Sequence, residues 1–238
     1  MFASRVTVIV GHFGSGKTEI AVNGAVRLAR AGETVALVDL DVVKPYFRSR
    51  SAREYMAGLG VRVVAPVGEY AHADLPIVLP EVRGVLRDRR TKVIVDVGGD
   101  PIGTRALGSI SDAVPRGETE HLLVLNFRRP YTGTVEDAVT MVHEIEAAAR
   151  LPVTGLISNS HLLGETSPEV VVEGYRMAVE AGRRMGLPVV AVAVDRSTHA
   201  QLVTGAVGCE LLPLDRLIKP PFEGGAQRRR IGPLFVLN

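Results

Sequence analysis

Two hydrophobic patterns take turns along the chain. The first is a short unbroken run of branched aliphatic residues. It recurs at Arg5–Val10, Thr34–Leu40, Val61–Ala65, Lys92–Val97, His121–Asn126, Val153–Ser158 and Pro188–Val194. Continuous Val/Ile/Leu runs of this length predict strands buried on both faces. The second pattern is helical spacing. Glu19–Arg30 carries Ile20, Ala21, Ala25, Leu28 and Ala29, and Gly32 ends it. Pro80–Arg89 begins on proline, a residue suited to the first helical position. Thr134–Arg150 opens on a capping box, Thr134 with Asp137. A long helix follows Ser167, read as its cap, with Pro168 and Glu169 in the first turn. This alternation predicts an α/β fold: a single three-layer domain, its mostly parallel twisted sheet of about seven strands covered by helices on both faces. Residues 1–218 form that domain. Residues 219–238 are broken by Pro220, Pro221, Gly224 and Gly225, then run through Arg228–Arg230 to the apolar Ile231–Leu237. They read as an irregular tail packed on the body or on a partner.

The first strand and first helix are joined by Gly11-His-Phe-Gly-Ser-Gly-Lys-Thr18, which fits G-x-x-x-x-G-K-[ST] at every fixed position. Strand, glycine loop and helix are the context this phosphate-binding motif requires. Triphosphate oxygens must be met by many backbone N–H groups at close range. Gly11, Gly14 and Gly16 let the backbone curl that tightly. The helix start adds unpaired N–H groups and the positive end of its dipole. The expected contacts run through Gly11, His12, Phe13, Gly14, Ser15, Gly16, Lys17, Thr18 and Glu19. Lys17 reaches the β/γ-phosphates as the catalytic cation, and the Thr18 hydroxyl sits on Mg²⁺. Lysine is scarce here, with Lys17, Lys44, Lys92 and Lys219 the only four among 28 basic residues.

Other candidates cluster at strand ends, where ligands of parallel sheets bind. Asp39 and Asp41 close the second strand as Val-Asp-Leu-Asp and, at period 2, point to one side. One would hold Mg²⁺ and the other orient an attacking water. Val93-Ile-Val-Asp96 followed by Val97, Gly98 and Gly99 reads as a Walker B strand, with Asp96 near the metal and the glycines leaving room for the γ-phosphate. Asp74-Leu-Pro76 and Asp100-Pro-Ile-Gly103 are either mouth-lining segments or simple turns. Glu136, Glu144 and Glu146 read as a solvated helix face.

With these motifs the chain resembles the MinD/ParA/CobQ-CobB superfamily, the SIMIBI class of P-loop NTPases, over roughly residues 5–205. The resemblance implies Asp39 and Asp96 on the Mg²⁺ side, Asp41 on the catalytic water, and Asn159 of Leu-Ile-Ser-Asn on the adenine. It also implies ATP/ADP with Mg²⁺ as ligands and a possible homodimer. Val43–Arg50, Asn126–Pro130 and Asn159–Thr166 resemble an uncharacterised branch. One position departs: many such proteins carry a second loop lysine that reaches the partner subunit's phosphates, and here that position is His12. Arg48, Arg50, Arg128 or Arg129 are the candidates to replace it.

Bulk properties narrow the function. The 238 residues are 46% hydrophobic and 23% charged with a net charge of +2. That balance names no nucleic-acid partner. The single cysteine, Cys209, excludes an internal disulfide or a Cys-pair metal site within one chain. The N-terminus lacks the pattern of a signal peptide, no run approaches a transmembrane span, and a cytoplasmic protein is expected. Gly232 and Pro233 spoil any amphipathic membrane helix in the tail. The loop also resembles that of nickel-protein maturation GTPases, but no [NT]-K-x-D guanine motif occurs and the six histidines are scattered. The expected function is a Mg²⁺-dependent ATPase whose nucleotide state controls a protein partner. The alternative is an ATP-dependent kinase or ligase acting on a small metabolite, in the manner of CobQ/CobB or dethiobiotin synthetase.

Overall fold

Residues 1–41, 50–65, 80–99 and 101–217 are described by the computed structural model. The Val43–Ser49 stretch, Asp74-Leu-Pro76, Asp100 and the 219–238 tail lie outside them. In chain order the elements are β1 (Val6–Val10), α1 (Lys17–Arg30), β2 (Val35–Leu40), α2 (Arg50–Gly58), β3 (Val61–Val64), α3 (Pro80–Arg87) and β4 (Lys92–Val97). They continue with α4 (Pro101–Gly108), β5 (Thr119–Leu125), α5 (Val135–Ala149), β6 (Gly155–Ser158), α6 (Pro168–Met185), β7 (Val189–Asp195), α7 (Arg196–His199) and β8 (Glu210–Leu214).

The strands form one sheet in the order β3-β2-β4-β1-β5-β6-β7-β8, and every pairing is parallel. Strand order turns around β1: the chain first builds outward through β2 and β3, then returns past β1 to β5. A crevice opens at the carboxyl ends of the strands at such a switch point, and the glycine loop leaves β1 there.

Burial follows the alternation of the pleat. Val6, Val8 and Val10 of β1 join Val38, Val95 and Leu123 in a core that meets α3, α4, α5 and α6. Ile9, Leu37 and Ile94 face the other way, where Ile20, Ala21 and Ala25 of α1 and Met56 of α2 cover them. Each apolar face removed from water contributes about 25 cal/mol per Å². That force sets the sheet between its two helix layers.

Four details differ from the sequence expectation. The sheet has eight strands, because Glu210-Leu-Leu-Pro-Leu214 pairs with β7 as an edge strand. Its glutamate and proline hid it, and an edge tolerates both. Of Asp100-Pro-Ile-Gly103, the described part Pro101–Gly103 is not a loop turn but the first turn of α4. Ser167 stands at the N-cap of α6, yet its side chain caps no backbone N–H and bonds Glu169 instead. Glu146 is not simply solvated: its Oε1 accepts from Val153 N at 2.8 Å. The capping box at Thr134 and Asp137 is present in both directions, at 3.0 and 3.1 Å.

Candidate functional site

The loop Gly11–Gly16 has no freedom to carry side chains where it turns. Gly14 and Gly16 adopt φ of +77° and +88°, the left-handed region that glycine enters without cost. A Cβ on Gly16 would fall 2.2 Å from Asn159 Nδ2. Gly16 is also the N-cap of α1, and no side chain caps that helix end. Its first N–H groups are therefore left for water or an anion. Lys17 is buried and sits close enough to Asp96 for its charge to act on that carboxylate.

Three acids converge below the loop. Asp39 and Asp96 are in-register partners on β2 and β4, and both are only 1% exposed. Parallel partners point to one face, here the α1 face. Burial pushes the Asp96 carboxyl up to about 6; the Lys17 charge and a Thr18 hydrogen bond oppose this, and the Asp41 charge reinforces it. Asp96 Oδ1 is buried with no hydrogen-bond partner. Asp41 lies just past β2, its N–H donating to Asp39 Oδ1 at 3.0 Å. Asp41 packs beside Gly98, where a Cβ would stand 3.4 Å from Asp41 Oδ1. The next residue, Gly99, presses on the loop itself: a Cβ there would lie 2.6 Å from Phe13 N.

These residues fit Mg²⁺. The ion keeps several waters and takes one or two carboxylates plus phosphate oxygens. The orphaned Asp96 oxygen beside the Thr18 hydroxyl, with Asp39 adjoining, supplies the protein share of that set. Among the described residues no group of three or more His, Cys, Asp or Glu is arranged to hold a metal without other ligands. An ion here would need the nucleotide's oxygens.

The far wall of the loop comes from the ends of β5 and β6. Asn159, expected at the base, donates its amide Nδ2 to Ser15 O at 2.7 Å. Its amide nitrogen thus serves the loop. Asn126 was legible only as part of a family-like string, yet it organises the wall. It is fully buried. Its Oδ1 accepts from Arg128 N at 3.0 Å and His161 N at 3.3 Å, and its Nδ2 donates to Gly14 O at 3.4 Å. Arg129 Nε donates to the same carbonyl at 3.1 Å. A buried asparagine after an apolar run is the only signal the sequence carried for this.

The position of the missing loop lysine is also resolved. The His12 ring packs on Tyr131 with centroids 5.0 Å apart. Phe13 and Tyr131 stand 64% and 71% exposed on the loop's rim. Arg128 pairs with Glu173 on α6, away from the loop. The Arg48 and Arg50 side chains lie outside the described residues. His161 approaches Gly16; burial first, and then the Arg129 charge, lower its pKa to about 4. It is neutral at physiological pH.

No family profile matches the chain, and no curated protein sequence matches it significantly. Solved structures do match by fold. Cell division protein FtsY of Thermotoga maritima has a TM-score of 0.53 and 22% identity, over 79% of this chain and 61% of its own. The signal recognition particle receptor FtsY of Elizabethkingia anophelis gives 0.51 and 23%, over 84% and 62%. The same receptor in complex with GDP gives 0.50 and 22%, over 79% and 57%. The chain thus spans about three-fifths of the length of these structures. What they share with this chain is the fold, a single α/β domain of P-loop NTPase type with a parallel sheet between helices. No helix among the described residues is long and apolar enough to cross a membrane.

Proposed function

We propose that this chain binds ATP with Mg²⁺ and hydrolyses it slowly, and that a protein partner reads its nucleotide state. One observation carries the reading. Asp96 is hydrogen-bonded by Thr18 and lies within reach of the Lys17 charge, the two side chains the loop contributes, while Asp39 stands in register beside it. Phosphoryl transfer needs positioning and charge stabilisation more than covalent chemistry, and this arrangement offers both. In this reading the loop N–H groups and Lys17 hold the β/γ-phosphates. Thr18, Asp96 and Asp39 hold the Mg²⁺, which when bound neutralises phosphate charge. Asp41, at the mouth beside Gly98, orients the attacking water. Gly99 keeps the loop at its correct distance from β4.

ATP is favoured over GTP because the chain after β6 reads Ser158-Asn159-Ser160-His161, with no [NT]-K-x-D. The lineage proposed is the MinD/ParA/CobQ-CobB branch. The exposed Phe13 and the Tyr131 packed on His12 support a protein surface, a second copy included, closing over the loaded loop. Competition between ATP and GTP for the purified chain in magnesium buffer, followed by a phosphate-release assay, tests the reading. Tighter GTP binding would overturn the choice of base. Uptake of neither nucleotide would overturn the function.

A further inference from the structure

We infer that Arg129 is a positioning residue of the phosphate loop: it holds the Gly14 carbonyl away from the anion site and places a permanent positive charge at the loop's apex. This rests on the nucleotide-binding reading above and deepens it.

A backbone loop binds an anion only if its N–H groups point inward, which requires its carbonyls to point outward. Each outward carbonyl is then a polar group seeking a donor. Here two successive carbonyls find side-chain donors from the opposite half of the sheet. Ser15 O accepts from Asn159, and Gly14 O accepts from both Asn126 and Arg129. Gly14 is one of three loop glycines with positive φ, a residue type whose peptide orientation its own side chain does not restrict.

Arg129 differs from the two asparagines in its charge and its geometry. It sits directly over Gly14, where a Cβ would meet its Nε at 3.2 Å, Cδ at 3.6 Å and Cζ at 3.8 Å. Only Nε is spent on the carbonyl. Nη1 and Nη2 make no hydrogen bond among the described residues, in contrast to Arg128, whose guanidinium is neutralised by Glu173. The Arg129 backbone is itself pinned, with its N–H on Asn126 O at 3.2 Å and its carbonyl accepting from Thr132 N at 3.1 Å. Its charge also reaches across the loop to His161. A guanidinium carries its charge at all physiological pH values, whereas the neighbouring His161 is neutral. The apex cation of this loop is thus Arg129, supplied within the chain, and it favours the more highly charged polyphosphate.

The test is calorimetric titration of ADP and of a non-hydrolysable ATP analogue, in magnesium buffer, into wild type, Arg129→Ala and Arg129→Lys. Loss of a charged hydrogen-bond partner corresponds to roughly 10- to 100-fold in affinity. Arg129→Ala should weaken ADP by about 10-fold and the triphosphate analogue by about 100-fold. Arg129→Lys should recover most of the triphosphate preference. Apo thermal unfolding of all three should agree within a few degrees. Affinities within twofold of wild type, or equal losses for both nucleotides alongside a lowered apo midpoint, would overturn the inference alone. If wild type bound neither nucleotide, the functional reading would fall and the inference with it.

Discussion

Asp39 of β2 and Asp96 of β4 are in-register neighbours in a parallel sheet, both carboxylates turned to the α1 face and almost wholly out of water. Two buried acids side by side are costly unless a cation joins them. Lys17 offsets part of that cost, and a divalent ion is expected to offset the rest. Asp39→Asn and Asp96→Asn should each cut the Mg²⁺-dependent gain in nucleotide affinity by about 10-fold or more. Affinity in chelator should change little. Titration with and without magnesium reads the difference.

Lys17→Ala should abolish nucleotide binding, since it removes the one buried cation of the loop. Asp41→Asn should retain ATP and lose turnover by about 100-fold or more, in the range of a positioned acid–base group. A fluorescent ATP analogue and a phosphate-release assay separate the two. Equal turnover in the Asp41 variant would remove that residue from the water-orienting role.

Gly99→Ala should disable the loop without unfolding the sheet. The added methyl would lie 2.6 Å from Phe13 N, 2.9 Å from His12 C and 3.0 Å from Gly11 O, all backbone atoms that cannot step aside singly. Nucleotide affinity should fall at least about 10-fold, while overpacking costs about 1–3 kcal/mol of stability. Calorimetry and chemical denaturation on the same preparation would measure both.

Asn23 ties α1 to the end of β8. Its Nδ2 donates to Asp215 O at 2.9 Å and its Oδ1 accepts from Asp215 N at 2.8 Å. Glu19, two residues past Lys17, accepts from Leu217 N at 2.7 Å. Asn23→Ala should cost about 1–3 kcal/mol, because the partly buried Asp215 N–H loses its partner while the Asp215 carbonyl keeps only Leu217 N. Denaturant unfolding gives the value, and hydrogen exchange at Asp215 and Leu217 should speed up.

Stability should also depend on pH through His121. It is buried, its Nε2 lacks a partner, and burial lowers its pKa to about 4. The folded value lies below the unfolded value of about 6.5. Between them the unfolded chain binds more protons, so this residue's contribution makes stability fall as pH drops from about 6.5 to about 4. The loss is on the order of 3 kcal/mol. Asp96, raised by burial to about 6, acts in the opposite direction over part of that window. The quantity to read is therefore the wild-type denaturant midpoint minus that of His121→Phe against pH, which should fall as pH drops from about 6.5 to about 4.

Much of this protein follows from local chemistry that a linear chain already contains. The aliphatic runs read as buried strands because most of their side chains are apolar on both faces, Arg62 of β3 being an exposed exception. The glycines, Lys17 and Thr18 lie within one strand-loop-helix unit, so their placement in one loop was legible from spacing alone. Asp39, Asp41 and Asp96 were legible as strand-end acids because parallel sheets gather such ends. What resisted was whatever depends on an edge or on a distant partner. β8 carries a glutamate and a proline that only an outer position permits. Ser167 has the right residue type for a cap, but its hydroxyl bonds Glu169 instead.

The tertiary structure alone decided which groups meet. The in-register pairing of Asp39 with Asp96 depends on β4 inserting between β1 and β2, a choice made by the packing of whole helices. The hold of Asn126, Arg129 and Asn159 on the loop carbonyls joins residues more than a hundred positions apart. Local periodicity cannot encode such contacts, because they exist only after two halves of the sheet have been brought side by side and water has been expelled from between them.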